Sequence, residues 1–367
     1  MAYIARYILI LLLLAPMRLP AAQAEWKNVE RVVAVGDVHG DFNAFVEILR
    51  SAGVIDQANH WTGGKTHLVQ TGDVPDRGPD TRKVMDLLME LEKEAAKAGG
   101  GVHPLIGNHE AMNVYGDLRY VTPAEYAAFA TPKSEEVRAG FWKQENKKTP
   151  RPNFEDKRKW EEAHPLGYFE QRIAFSSQGV YGKWIRSHNA IIKINDTIFL
   201  HGGFGPRFAS MPFKQINDAI TAELADISTI QPKDPAMADD GPLWYRGQAT
   251  DGNQEAKALV DQVLAAQGVK RIVIGHTPTA GAILSRFDGK VILIDAGMSA
   301  TYGSHRTCLL LDGDGVFAIH RGVKLPLPPG GGPDYIAYLK KAASLEPAGS
   351  SLAKFAADTE AAMNSKE

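Results

Sequence analysis

The sequence contains very little cysteine and no excess of either charge, and both shortages exclude classes of protein. Cys308 is the single cysteine among 367 residues, so an internal disulfide is excluded. The 41 basic and 43 acidic side chains leave a net charge of −2. Binding to a nucleic-acid backbone requires a clear basic excess, so the composition argues against a nucleic-acid partner.

Long apolar runs are also missing, and the longest one lies near the N-terminus. Residues 1–24 combine a basic residue, Arg6, with a short apolar run from Tyr7 to Ala15 and the ending Ala22-Gln23-Ala24. This pattern is typical of a secretory signal peptide and predicts cleavage after Ala24. The alternative is a membrane anchor, but crossing a bilayer takes about 20 apolar residues. We therefore expect a periplasmic or secreted protein with no membrane contact after cleavage.

Beyond this segment, short apolar runs that end in glycine or charged loops alternate with helical periodicity. This alternation predicts an α/β fold. The runs predicted as strands are Arg31–Val35, Thr66–Thr71, Val102–Ile106, Ala190–Ile194, Thr197–Leu200, Arg271–Ile274, Val291–Asp295 and Thr307–Leu311. Asn195-Asp196 lies between two of them and predicts a hairpin, because both residue types tolerate positive φ.

The composition also divides the chain into segments. We expect one catalytic domain over residues 25–326, interrupted at about 116–187 by a helical insertion that is rich in Lys, Glu and aromatic residues. The C-terminal tail, residues 327–367, begins with a run of proline and glycine. For this tail we expect a loosely attached helix or disorder.

Polar side chains that bind metals follow directly on several predicted strands. These residues are Asp37, His39, Asp73, Asn108, His109, His201 and His276. Strand ends in an α/β fold converge on one edge, where ligands usually bind, so the pattern predicts a metal centre. Carboxylate, imidazole and amide donors favour Mn, Fe or Zn over Ca or structural Zn. Two divalent ions ~3.5–4 Å apart would hold a bridging hydroxide and favour in-line displacement at phosphorus, with Asp73 as the bridging ligand.

Five motifs in this order resemble those of the phosphoprotein phosphatase family, within the calcineurin-like metallophosphoesterases. They are Gly36–Gly40, Gly72–Gly78, Gly107–Glu110, His201–Gly203 and Gly275-His276. In detail the chain most resembles the bacterial-type Shewanella-like phosphatases. The resemblance implies a four-layer α/β/β/α sandwich with two metal ions where the sheets meet. It also implies the ligands: Asp37 and His39 for the first ion, Asp73 as the bridge, and Asn108, His201 and His276 for the second.

The same resemblance implies the catalytic residues. His109 would be the general acid that protonates the leaving oxygen, and Asp76 would orient its ring. Arg77 and Arg246 would hold the phosphate oxygens, with Asn108 beside them in the substrate site.

We therefore expect a phosphomonoesterase that works by direct attack of metal-bound hydroxide, without a phospho-enzyme. A phosphorylated protein is the expected substrate, on Ser/Thr or on Tyr. One alternative is a hydrolase of small molecules or dinucleoside polyphosphates. Another is a catalytically inactive module that binds phosphoproteins, but the presence of both His109 and Asp76 argues against it.

Overall fold

The computed structural model describes residues 23–148 and 154–365 as two β-sheets flanked by helices. The strands are β1 Glu25–Trp26, β2 Arg31–Val35, β3 His67–Gln70, β4 Gly101–Pro104, β5 Ile191–Ile194, β6 Thr197–Leu200, β7 Arg271–Ile274, β8 Leu284–Arg286, β9 Val291–Leu293, β10 Thr307–Asp312, β11 Gly315–His320 and β12 Val323–Pro326. The helices are α1 Phe42–Ser51, α2 Thr81–Lys97, α3 Asn108–Tyr115, α4 Pro123–Phe129, α5 Ser134–Glu145, α6 Phe154–Ala163, α7 Tyr168–Phe175, α8 Val180–Arg186, α9 Phe213–Ala225, α10 Gly247–Thr250, α11 Gln254–Gln267, α12 Gly332–Ala343 and α13 Ser351–Asn364.

The strand order and the pairing directions determine which strand ends lie together. The first sheet has the order β12-β11-β10-β2-β3-β4, and the second has β1-β5-β6-β7-β9-β8. Strands β2, β3 and β4 are parallel, and so are β6, β7 and β9. Each sheet therefore has three adjacent parallel strands whose carboxyl ends lie at the same edge. The predicted hairpin is confirmed: β5 and β6 pair antiparallel, and Asn195 has a φ of 54°.

The predicted α/β sandwich is confirmed, and its sheets share one hydrophobic core. Central strands are buried on both faces, as the apolar sequence of β2 requires. Helices cover the outer surfaces: α2 packs against β4 and α12 against β12, while α9 packs against β5. Cys308 is buried in β10, as its apolar neighbours predict.

The predicted signal peptide falls almost entirely on residues 1–22, which lie outside the described residues. Within the described ranges, none of the helices has the length and apolar content needed to cross a membrane. The strand that follows the predicted cleavage point, β1, pairs with β5, and Lys193 N donates to Ala24 O (2.8 Å).

In the described part of residues 116–187 the chain forms the helices α4 to α8, with no strand among them. Side-chain hydrogen bonds attach this segment to α2, among them Tyr181 Oη to Asp86 Oδ1 (2.8 Å), Trp184 Nε1 to Glu92 Oε2 (2.7 Å) and Arg82 Nη1 to Ala128 O (2.8 Å). Stacked aromatic rings join α5 to α7 within this segment, since the ring centroids of Phe141 and Phe169 are 4.0 Å apart. The boundaries given above for this insertion and for the other segments of the chain stay predictions.

The tail is helical, as one of the two predictions had it, but loose attachment was wrong, because α12 and α13 pack on the core. Tyr338 and Leu339 are buried, and Tyr338 Oη donates to Ile283 O (2.8 Å). Leu352 anchors α13 in the same way. The proline and glycine run forms the turn before α12 and the first two residues of that helix, Gly332 and Pro333, while the helical spacing of the apolar residues after it creates a buried face.

A buried carboxylate joins this tail to the first sheet. Glu346 lies 2.9 Å from His320 Nε2 and 3.3 Å from His305 Nδ1, and it accepts a hydrogen bond from Arg321 Nη2 (2.7 Å). Burial opposes ionisation of Glu346, but the hydrogen bond from Arg321 together with the charges of Arg321, His305 and His320 outweighs it, so the pKa of this carboxyl lies below its ordinary value.

We expect Glu346→Ala to destabilise the protein by about 3 kcal/mol, because it leaves buried partners without their counter-charge. Urea unfolding measures this loss. Glu360→Ala is the matched control, since Glu360 pairs with Lys340 on the exposed surface of the same tail. Equal stability of the two variants would contradict the anchoring role.

Candidate active site

The predicted site residues lie at the carboxyl ends of the parallel strands, where the two sheets meet. Asp37 follows β2, Asp73 follows β3, Asn108 follows β4, His201 follows β6 and His276 follows β7. Hydrogen bonds cross between the sheets at this edge: His276 N donates to Asp37 Oδ1 (3.0 Å), and His201 Nδ1 donates to Thr71 O (2.8 Å). The structure therefore brings together residues that are up to 239 positions apart in sequence.

Five residues of the site have left-handed backbone conformations, which side chains other than glycine rarely adopt. They are His39 (φ 48°), Asp73 (59°), Asp76 (73°), Arg77 (66°) and His276 (65°). Each costs about 1–3 kcal/mol and persists only where the surrounding structure holds it. Here hydrogen bonds join the loop after β2 to the loop after β3, because Val38 N and His39 N both donate to Asp73 O (3.0 Å each).

Asp73 lies at the centre of the site and faces histidines on both sides. Its Oδ1 lies 3.2 Å from His201 Nε2, and its Oδ2 lies 3.6 Å from His109 Nε2 and 3.9 Å from His39 Nε2. Two buried groups with the spacing of metal ligands share this carboxylate: His39, Asp73 and His109, and Asp73, His201 and His276. One carboxylate therefore has an oxygen for each of two ions. His109, which the sequence predicts as the general acid, is itself a member of the first group. Asp37, which the sequence predicts as a ligand of the same ion, belongs to neither group.

Three histidine rings have their orientation fixed by backbone carbonyls. The hydrogen bonds are His39 Nδ1 to Pro75 O (3.1 Å), His201 Nδ1 to Thr71 O (2.8 Å) and His276 Nε2 to Trp244 O (3.1 Å). A carbonyl only accepts, so the proton of each neutral ring lies on that nitrogen. The other nitrogen then presents a lone pair to the site, as in metal-binding histidines.

The distances between the atoms that carry these lone pairs show whether the residues fit a metal ion. His201 Nε2 lies 3.1 Å from His276 Nδ1 and 2.9 Å from Asn108 Oδ1. Two lone pairs and a carbonyl oxygen repel one another at these distances unless a cation lies among them. Burial lowers the pKa of His276 to about 2 and that of His39 to about 3, so both rings are neutral, which is the form that binds metals. The donor set fits divalent cations.

The pKa values of the buried acidic residues also fit a site for divalent cations. Burial raises the pKa of Asp37 well above its ordinary value, and the nearby carboxylates of Asp295 and Asp73 add to the effect. Burial also raises the pKa of Asp295 to about 6. Several carboxylates in one dry pocket repel one another, and bound cations would relieve that repulsion.

The predicted general acid and its predicted partner are in contact. His109 Nδ1 donates to Asp76 Oδ2 (2.5 Å), and Asn113 Nδ2 donates to Asp76 Oδ1 (2.9 Å). Burial favours the neutral ring, but the carboxylates of Asp73 and Asp76 outweigh it and raise the pKa of His109. The imidazole Nε2, which faces Asp73, therefore carries a proton to a higher pH than a free histidine would.

Both predicted phosphate-binding arginines reach the site. The Arg77 guanidinium lies over the Tyr120 ring, whose centroid is 5.0 Å from that of His109. Arg246 lies beside the second group of ligands, and its Nη1 donates to His276 O (2.7 Å) and Thr277 Oγ1 (3.1 Å).

Sequence reasoning assigned no role to two acidic residues of this site. Asp295 follows β9 as the predicted ligands follow their strands, so the same signal was present. Glu110 ends the motif Gly107–Glu110, and its carboxylate accepts hydrogen bonds from Asp73 N (2.8 Å), Val74 N (2.7 Å) and Gly107 N (2.8 Å). Glu110 thus fixes the backbone that carries Asp73 relative to the start of α3.

We expect Glu110→Gln to lower metal affinity about 10- to 100-fold, because outer partners of metal ligands have effects of this size. The amide group would present N–H donors to backbone donors and displace the Asp73 loop. Competition with a chromogenic chelator measures the affinity. Glu90→Gln is the control, since Glu90 is an exposed residue of α2. Wild-type affinity in Glu110→Gln would rule out the role given to this carboxylate.

Comparisons with known proteins agree with this geometry. Residues 30–280 match the family model described as calcineurin-like phosphoesterase. The chain is 35% identical over 314 residues to an uncharacterised protein of Schizosaccharomyces pombe, covering 82% of this chain and 84% of that protein. It is 30% identical over 294 residues to Shewanella-like protein phosphatase 2 of Arabidopsis thaliana, covering 76% and 73%.

A solved structure shows the same fold. The crystal structure of a cold-active protein-tyrosine phosphatase from a psychrophilic Shewanella species superimposes with a TM-score of 0.65. The two chains are 28% identical, and the match covers 83% of this chain and 82% of that one. The strand-end site and these matches lead to one conclusion: the chain belongs to the calcineurin-like phosphoesterase family, with Shewanella-like protein phosphatases among its homologues.

Proposed function

We propose that this protein is an exported, metal-dependent protein phosphatase that hydrolyses phosphomonoesters. The observation that carries the proposal is the His109–Asp76 pair beside the shared carboxylate of Asp73. The pair supplies a proton to a leaving oxygen, and the carboxylate has ligand atoms for two ions. Family membership and relatives that are named protein phosphatases support the same reading.

The proposed ligands of the two ions are those that the sequence predicts. They are Asp37 and His39 for one ion, Asp73 for both, and Asn108, His201 and His276 for the other. His39, Asp73, His201 and His276 belong to the two groups with ligand spacing, whereas Asp37 is placed by its hydrogen bond from His276 N and Asn108 by its contact with His201. When bound, the ions would supply Lewis acidity at the phosphoryl oxygens and would lower the pKa of the attacking water. Imidazole, carboxylate and amide donors suit Mn, Fe or Zn, and we propose manganese as the ion to test first.

His109 acts as the general acid in this proposal. Its Nδ1–H is held by Asp76, so Nε2 is the atom that can donate to the leaving oxygen. Two sets of hydrogen bonds keep Asp76 in place. Asn113 Nδ2 donates to the Asp76 carboxylate. The backbone N–H of Asp76 donates to Glu125 (3.3 Å), whose carboxylate also accepts from Thr81 Oγ1. These contacts fix the tautomer and the orientation of the ring.

Arg77 and Arg246 bind the phosphoryl group, with Asn108 beside them. The Arg77 guanidinium lies above the His39 and His109 side of the site, while Arg246 lies beside His276. The two cations therefore approach a phosphoryl group from different sides. Arginine suits this role because its planar fork of N–H donors matches phosphate oxygens.

A phosphorylated protein is the proposed substrate, with Tyr as the favoured residue and Ser/Thr as the alternative. Likeness to the Shewanella protein-tyrosine phosphatase supports this preference. A hydrolase of dinucleoside polyphosphates remains a competing function that the substrate panel below tests. A binding module without activity would not need a general acid whose ring is held by Asp76, which is itself held by Asn113.

We expect His109→Asn to lower turnover of a phosphotyrosine peptide by about 10²–10⁴-fold, the usual contribution of a general acid. Phosphate release by the manganese-loaded protein measures this loss, with phosphoserine peptide and dinucleoside tetraphosphate assayed in parallel. Metal content should stay at two ions per chain if His109 is not a ligand. Full activity in His109→Asn would refute its role, and a preference for the dinucleotide would replace the proposed substrate class.

Export is proposed from the pattern of residues 1–24 alone. When the full chain is expressed in a Gram-negative host, the mature protein should be recovered from the periplasm with Glu25 at its N-terminus. Intact-mass spectrometry of the periplasmic and cytoplasmic fractions checks this. Uncleaved protein confined to the cytoplasm would contradict it.

A further inference from the structure

The Arg77 side chain is held in an unusual way. Among the described residues, no carboxylate pairs with its guanidinium, and the Nε atom is buried without a hydrogen-bond partner. The hydrogen bond that fixes this residue comes instead from its backbone, where Arg77 N donates to Tyr120 O (3.1 Å). The charged group must therefore be held by contacts of another kind.

Two tyrosine rings supply those contacts. The guanidinium carbon of Arg77 lies 4.5 Å from the centroid of the Tyr120 ring and 5.3 Å from that of the Tyr302 ring. Both distances fall within the ~6 Å range in which a cation is attracted to an aromatic face. The same rings lie against the histidines of the site: Tyr120 is 5.0 Å from His109, and Tyr302 is 5.5 Å from His39.

Tyr302 lies on a tightly packed turn. It ends the 3₁₀ turn Ala300–Tyr302, and Tyr302 N donates to Ser299 O (2.8 Å). Gly297 packs directly beneath it, since a Cβ on Gly297 would lie 2.6 Å from Tyr302 O. His305 N donates to Gly297 O (3.1 Å) and closes the turn. The Tyr302 ring thus stands on a rigid base.

Holding an arginine with aromatic rings has a consequence for anion binding. A carboxylate partner would occupy the N–H donors of the guanidinium and cancel its charge. An aromatic face fixes the plane of the guanidinium and uses none of its donors. A tetrahedral phosphate would then find a charged, oriented fork with its donors free.

We propose that Tyr120 and Tyr302 are positioning residues that hold the Arg77 guanidinium ready for phosphate oxygens. The inference rests on the proposed phosphomonoesterase function and adds two residues to it. Tyr120 lies at the start of the helical segment 116–187, and Tyr302 lies in the loop between β9 and β10. The helical segment and the loop that connects the two sheets would thus determine the phosphate affinity through one arginine.

The test measures how tightly the manganese-loaded full chain binds inorganic phosphate, by calorimetry, together with KM and kcat for a phosphotyrosine peptide. Tyr120→Ala and Tyr302→Ala should each raise the phosphate Kd and KM about 3- to 30-fold, the range that cation–π contacts span. The change in kcat should be smaller, because Arg77 binds the phosphoryl group in both the ground and transition states. Tyr120→Phe and Tyr302→Phe keep the aromatic face and should stay close to wild type.

A double-mutant cycle separates positioning from a general structural role. In an Arg77→Ala background, removal of either tyrosine should change the phosphate Kd no further, because the group through which it acts is gone. Tyr168→Ala is the matched control: its ring belongs to the same helical segment but packs on Tyr126 and Phe169. This variant should bind phosphate as the wild type does.

Three results would overturn the inference: wild-type phosphate binding in both alanine variants, equal loss in the phenylalanine variants, or full additivity with Arg77→Ala. These differ from failure of the proposed function. If the wild-type protein neither binds phosphate nor hydrolyses any phosphomonoester, the function itself is wrong and this inference falls with it.

Discussion

The carboxylate of Asp73 is the group through which the two sheets and the candidate ligands are joined. Its Oδ1 accepts a hydrogen bond from His109 N (2.9 Å) and lies 3.2 Å from His201, while its backbone carbonyl accepts from the loop that carries His39. Burial would raise the pKa of this carboxyl, but the imidazoles of His109, His201 and His39 hold it well below its ordinary value. A buried anion of this kind is stable only when its partners are fixed in place, which is the role of Glu110 and the crossed loops.

This concentration of charge explains the strained backbone around it. Asp73, Asp76 and Arg77 lie on one loop, and their left-handed backbone conformations turn that loop toward the same pocket. Hydrogen bonds between loops hold this conformation against its intrinsic cost. The repulsion that remains, between the facing lone pairs of His201 and His276 and between Asp37 and Asp295, is what bound cations would offset. Metal binding and folding stability are therefore linked in this protein.

Much of the fold, and the clustering of the predicted ligands at one edge, followed from the sequence, because polar residues after apolar strands mark one edge of a parallel sheet. The same rule applies to Asp295, because this residue follows β9 just as the predicted ligands follow their strands. Glu110, Tyr120 and Tyr302 act on backbone or guanidinium groups far away in sequence, so no local pattern marks them. The close packing of the tail was not predicted, because its proline and glycine residues indicated loose attachment and only the folded core shows which surface the apolar face of α12 contacts.

The central claim is that two ions share Asp73, and the number of metal ions per chain tests it most directly. Protein reconstituted with manganese, freed of loose metal and analysed by plasma mass spectrometry should contain two ions per chain. Asp73→Asn, which keeps the shape of the side chain and removes its charge, should retain neither ion under the same conditions. One ion in the wild-type protein, or two in Asp73→Asn, would contradict a site bridged by this carboxylate.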